Sequence, residues 1–314
     1  GGTDYPQWYL KNNGQVVSTS INKFIYITCR YLPKFFDHKY RIIWSRIELA
    51  NSVHDIHHPS IREVLKFLKI KDGLEIHYDG DLPSRSGIGS SSSFTVGLLN
   101  ALNTLKKNKI SKKIIATKSI HIEQNILKEV VGSQDQIASS YGGLNHIKFY
   151  KNGSFRVNKV NLSENRKKNL EKNLLLFFTG IKRTAEKVAS TYVFNMKNLS
   201  QEMSMTNFFV DEFLKILKNG SIDDVGYLLD ESWNVKRKFS SVVSNKNIDK
   251  YINIAKSNGA LGCKILGAGS GGFLLVYANA KFHKSIIKSL NNLVEVPFNF
   301  ESQGTTIIFK ENDI

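Results

Sequence analysis

The chain has 314 residues, enough for two domains sharing a cleft, and 41% of them are hydrophobic, an ordinary share for a globular protein. Its formal charge is +17, but the lysines are scattered, and the densest runs (Lys106 to Lys109, Lys112-Lys113 and Arg166 to Lys168) read as solvated helix ends; this argues against nucleic acid as a partner and leaves a positive field that favours small anions. No apolar run approaches the about 20 residues of a membrane span and no signal peptide is visible, while Cys29 and Cys263, only two and far apart, fit neither a disulfide framework nor a zinc site; a cytoplasmic protein with reduced thiols is expected.

In chain order, strands are predicted at 16–21 and 24–29, rich in β-branched and aromatic residues. His54, His57 and His58 look like a metal cluster, yet they lie in a loop before a helix and nothing downstream supplies a clear further ligand, so a substrate-edge loop is the expectation there. A helix over 60–68 is followed by the strand Leu74 to Tyr78, in which Leu74, Ile76 and Tyr78 alternate with charged residues. Helical periodicity returns from about Ser92 to Lys106, with Phe94, Leu98, Leu102 and Leu105 on one stripe, and again over 114–127 and 133–141. A buried-looking strand over 174–178 ends in Thr179-Gly180, helices are predicted over 206–217 and 222–239, a strand pair flanks Gly267, and two strands close the chain at 294–298 and 305–309. The order suggests an α+β first domain over 1–185 and an α/β second domain over 186–314.

Two glycine clusters carry the chemistry. In Asp81-Leu82-Pro83-Ser84-Arg85-Ser86-Gly87-Ile88-Gly89-Ser90-Ser91-Ser92-Ser93 a strand meets a helix: glycines let the backbone approach a ligand, and free N–H groups of the first helical turn attract an anion. An N-cap after an ordinary loop would look similar. A Walker loop is excluded because no Gly-Lys dipeptide occurs. In the second cluster, Gly267, Gly269 and Gly272 fit a dinucleotide fingerprint, but an apolar strand follows instead of a helix; a protein-kinase loop is excluded because neither His-Arg-Asp nor Asp-Phe-Gly appears.

These two loops and the opening Gly1-Gly2-Thr3-Asp4-Tyr5-Pro6 stand in the order and spacing of the three motifs of the GHMP kinases, a superfamily of small-molecule kinases that the chain resembles over nearly its whole length. The segments Gly2 to Pro6, Val131 to Ala138 and Tyr141 to Asn145 are most similar to those of the D-glycero-D-manno-heptose 7-phosphate kinases. Two departures stand out: the numbering starts at Gly1, without the strand that the family carries before this segment, and Ser270 replaces the more usual glycine.

The resemblance implies a ribosomal-protein-like first domain, a ferredoxin-like second one, and an active site between them with the glycine loops facing one another across ATP. ATP would be held by Pro83, Ser86, Gly87, Gly89, Ser90, Ser91 and Ser92 and by Gly267, Gly269, Ser270 and Gly271. Asp135, with apolar neighbours and Gly132 allowing close approach, is a first-turn helix residue on sequence alone; the matching family position makes it the catalytic base. Glu123 reads as a solvated helix carboxylate, but its family position makes it a Mg²⁺ ligand with the hydroxyl of Ser91, or next of Ser90. Gly2, Thr3 and Asp4 would meet the sugar, and Arg183, ahead of Lys182, would meet a distal phosphate where the strand over 174–178 ends, unless both are solvated loop cations. The activity implied is transfer of a γ-phosphoryl group from ATP to the anomeric hydroxyl of a heptose 7-phosphate, with Mg²⁺, no nucleic acid or membrane, and a homodimer left open. Kinase activity on another sugar, or RNA binding by a basic protein sharing the first domain's fold, are the alternatives.

Overall fold

The computed structural model describes residues 1–84, 86–181 and 185–311. Its elements in order are α1 (Pro6–Asn12), β1 (Gly14–Ser18), β2 (Ser20–Ile21), β3 (Ile25–Tyr31), β4 (Tyr40–Ile43), β5 (Ile47–Ala50), α2 (Pro59–Phe67), β6 (Leu74–Gly80), α3 (Ser90–Leu105), α4 (Lys112–His121), α5 (Gln134–Tyr141), β7 (Asn145–Phe149) and β8 (Phe155–Lys159). Then follow α6 (Glu164–Glu171), β9 (Leu174–Phe178), α7 (Ala185–Val193), α8 (Ser200–Asn219), α9 (Asp224–Arg237), α10 (Lys246–Ser257), β10 (Ala260–Ile265), β11 (Phe273–Ala278), α11 (His283–Ser289), β12 (Val294–Glu295) and β13 (Phe300–Glu301).

The first domain is built on a four-stranded sheet in the order β3-β6-β4-β5, with β6 antiparallel to β3 and parallel to β4. The alternation seen in the sequence sends Leu74 and Ile76 inward, where they meet Phe94, Leu98, Leu99 and Leu102 of α3, all 4% exposed or less. Burying each such side chain is worth about 1.5–3 kcal/mol, so the phosphate-loop helix is seated by its own apolar face. A second sheet, β1-β7-β8, packs Val16, Ile147 and Phe149 against Tyr9 of α1, Ala116 of α4 and Ile137 of α5.

The second domain holds the sheet β10-β11-β9-β12, antiparallel throughout. The strand β9, which the expected division at residue 185 places with the first domain, pairs here with β11 from Phe273↔Phe178 to Tyr277↔Leu174. An all-apolar strand carries no mark of which sheet will bury it. Trp8, from the first turn and a half of the fold, sits in the core of this second domain with Phe177, Tyr192 and Trp233, which pins the opening segment at the seam.

Two other expectations fail at the end of the chain. Of the stretch 294–298 the ladder takes Val294 and Glu295, with Val296 N donating to Leu176 O (2.8 Å) beyond it, and 305–309 forms no strand, held by Thr305 N donating to Ser139 O (2.8 Å) and Asn100 donating to Thr305 Oγ1 (3.1 Å). β-propensity makes a segment fit a sheet but cannot provide a partner strand.

Candidate active site

The turn after β6 reaches α3 through Gly87 and Gly89, both left-handed (φ 89° and 77°), with Gly89 as the helix N-cap. Ser86 is fully buried and its hydroxyl donates to Pro83 O (2.6 Å), so these two residues shape the loop from within; the N–H groups at the start of α3 face the cleft. The second glycine loop packs directly on the first. A Cβ on Gly267 would lie 2.4 Å from Gly87 O, and one on Gly272 would lie 1.9 Å from Ser86 O. At this edge the two glycine loops are therefore in contact with one another. Gly269 and Gly271 are turned onto Val243 and Ile181, with Ser270 N donating to Val243 O (2.7 Å), so of this loop Gly267 and Ala268 line the cleft.

Glu123 ties the first domain's helices together. α4 widens into a π turn over Ile122–Ile126, closed by Leu127 N donating to Ile122 O (2.8 Å), and such turns recur at functional sites. Its Oε2 accepts from Ser92 Oγ of α3 (2.8 Å) and Gln136 Nε2 of α5 (2.5 Å), while Oε1, also buried, has no partner among the described residues. The helical phase points Ser92 inward, where it meets Glu123, and leaves Ser91 exposed and lining the cleft. Burial pushes the Glu123 carboxyl up to about 7.

Asp135 lies in the first turn of α5 against the phosphate loop; a Cβ on Gly89 would come within 3.0 Å of its Cγ. Burial, then the charges of Asp4 and Glu123, push its carboxyl up to about 7, while Lys236 pulls the other way. Gly132 makes room not for Asp135, as expected, but for Asp4. A Cβ there would fall 1.8 Å from Asp4 Oδ2, which instead accepts from Gln134 N (3.1 Å) at the start of α5. Asp4 is 3% exposed, and burial raises its carboxyl while the Gln134 N–H opposes the rise. The hydroxyl of its neighbour Thr3 is directed at α8 and β1: Thr3 Oγ1 donates to Asn207 Oδ1 (2.9 Å) and accepts from Gln15 N (3.0 Å). Gly2 bridges to Val16 and reaches the cleft by its backbone.

Two cations that sequence reasoning missed line the cleft. Lys236, in the last turn of α9, donates to Gly267 O, and Lys264 donates to Ser232 Oγ (2.9 Å) with its amine lowered by burial to about 8. In the sequence, Lys236 opens the run Lys236-Arg237-Lys238 and reads as an ordinary helix end. Lys182 and Arg183 lie outside the described residues. Around His58 the structure is aromatic: its ring packs at 5.0 Å from both Trp44 and Phe94, and among the described residues no group of three or more His, Cys, Asp or Glu is placed to hold a metal. None of the described helices is long and apolar enough to cross a membrane.

The two glycine loops of this site fall within two family models, that of the GHMP kinases N terminal domain over residues 58–143 and that of the GHMP kinases C terminal over 213–289, in order and together covering just over half of the chain. The chain belongs to the GHMP kinases. It is an ATP-dependent kinase with the two-domain fold of that superfamily. Among its relatives, this GHMP kinase is 29% identical over 306 residues to a D-glycero-alpha-D-manno-heptose 7-phosphate kinase of Campylobacter jejuni, covering 92% of this chain and 89% of the relative. It is 29% identical over 238 residues to the mevalonate kinase of Methanocaldococcus jannaschii, covering 74% and 71%. A crystal structure described as a D-glycero-D-manno-heptose 1-phosphate kinase from Bacteroides thetaiotaomicron superposes with a TM-score of 0.79 at 19% identity, over 97% of this chain and 93% of that one, a likeness of fold.

Proposed function

We propose that this GHMP kinase is a sugar kinase that transfers the γ-phosphoryl group of ATP to the anomeric hydroxyl of a heptose 7-phosphate. The observation that carries the sugar assignment is the near full-length similarity to the Campylobacter jejuni heptose 7-phosphate kinase, and the acid pair at the cleft gives it a mechanism. Phosphoryl transfer requires the phosphates held and the acceptor hydroxyl oriented and relieved of its proton. The N–H groups of Ser90, Ser91 and Ser92 and the backbone of Gly87 and Gly267 cradle the phosphates. Asp4, fixed on the end of α5, accepts hydrogen bonds from sugar hydroxyls, and Asp135 takes the proton of the attacking hydroxyl on a carboxylate oxygen. With its carboxyl near 7, Asp135 is matched to proton transfer at neutral pH. Arg183 and Lys182 are assigned to the distal phosphate.

The buried, unpartnered Oε1 of Glu123 is a hard oxygen donor of the kind Mg²⁺ takes, and the Ser92 hydroxyl on the same carboxylate is a second. Mg²⁺ held there would neutralise phosphate charge.

ADP release coupled to an indicator reaction, measured over heptose 7-phosphate, unphosphorylated heptose, galactose and mevalonate, tests the reading. Heptose 7-phosphate should give the highest kcat/KM, and ³¹P spectra of the product should show a new anomeric phosphate ester. Preference for the unphosphorylated sugar, or a phosphate at another position, would overturn it.

A further inference from the structure

Lys236 occupies a position that neither glycine motif contains. It ends α9, and its ammonium donates to the carbonyl of Gly267, the residue that rests on Gly87 of the phosphate turn. It lines the same cleft as Gly89, Asp4 and Asp135, and its charge acts on both carboxylates, opposing the upward push of burial. The cation thus stands where the phosphate turn, the second glycine loop and the acid pair converge. Phosphate held on the start of α3 must bring its transferring end toward Asp135, because Gly89 and Asp135 are in contact. An ammonium carries three donors and can bond the loop carbonyl and a phosphate oxygen together.

We propose that Lys236 is the positioning residue for the terminal phosphoryl group of the nucleotide, holding it against the second glycine loop and in line with the acceptor. The inference is independent of which sugar is the acceptor. A structural reading competes with it, since a lysine in a last helical turn complements the helix dipole and the bond to Gly267 could merely clamp the loop. The two separate on the number of phosphates: a clamp serves ADP and ATP alike, whereas a contact with the terminal phosphoryl is felt by ATP alone.

The test is equilibrium binding by calorimetry with Mg²⁺ and no sugar present, so no turnover is needed. Lys236→Met should weaken ATP roughly 10- to 100-fold and ADP about threefold or less, the scale of one charge-assisted hydrogen bond. Lys236→Arg should recover most of the ATP affinity, and Lys236→Gln, which keeps a donor without the charge, gives the same comparison should the methionine variant fail to fold. Parallel losses for ATP and ADP, or no loss for either, overturn the proposal. A wild-type protein that binds ATP through this contact yet phosphorylates no heptose 7-phosphate would leave it standing and sink only the sugar assignment.

Discussion

Gly132→Ala is the sharpest probe of the acid pair, because it adds one methyl group at a residue whose backbone is not left-handed, so the change acts through space alone. The new Cβ would sit 1.8 Å from Asp4 Oδ2 and 2.5 Å from its Cγ, and ordinary contact begins at 3.4 Å, so the carboxylate must move. Moving it breaks the bond from Gln134 N (3.1 Å) on a side chain only 3% exposed. Leaving a buried charged group short of a partner costs about 1–3 kcal/mol, and displacing a positioned group by roughly 1 Å costs about 100-fold in turnover. The expected result is a lower melting temperature and a kcat/KM for the sugar about 100-fold below wild type, with KM for ATP within about twofold, since the nucleotide loops are untouched. Steady-state kinetics with each substrate varied in turn, beside thermal unfolding, measure all three. Gly153→Ala, at φ 80° with only Leu10 Cδ2 nearby at 3.8 Å, controls for general destabilisation. Wild-type sugar kinetics in a folded Gly132→Ala protein would refute the role given to Asp4.

Asp135→Asn keeps the size of the side chain and removes the base, so kcat should fall roughly 100- to 10,000-fold with ATP binding retained, as measured by single-turnover kinetics beside calorimetry. Glu123 and Asp135 both have folded-state carboxyls raised to about 7, so the folded protein binds more protons than the unfolded chain between the ordinary carboxylate range and neutrality; the melting temperature of the ligand-free protein should fall as pH rises from 5 to 8, and Glu123→Gln should flatten that slope. Ser270→Gly relieves a left-handed residue at φ 66° and should stabilise by about 0.5–1 kcal/mol after the entropy of the extra glycine is subtracted, seen in urea unfolding with the m-value unchanged. Arg183→Ala should lower kcat/KM for heptose 7-phosphate roughly 10- to 150-fold and leave the unphosphorylated heptose little affected; equal losses would remove Arg183 from the phosphate site.

The sequence by itself determined what depends on local chemistry. Glycines and serines between an alternating strand and a helix of one apolar stripe can only make a tight, donor-rich turn, and α3 starts there, at Ser90, with Gly89 left-handed. The run Leu174 to Phe178 is apolar enough that it had to be a buried strand, and it is one. What the sequence could not hold is which distant surfaces meet. The sheet that takes β9, the pairing of Glu123 with Ser92, and the turning of Thr3 toward Asn207 each depend on a rotation or a partner supplied by another part of the chain. Lys236 is the clearest case: it reads as one of many scattered cations until α9 carries it to the carbonyl of Gly267. Local sequence sets the propensity of an element and the face it buries. Only the packed structure brings a carboxylate from residue 4, another from residue 135 and an ammonium from residue 236 to one cleft, where desolvation of the two carboxylates makes the neighbouring charges count.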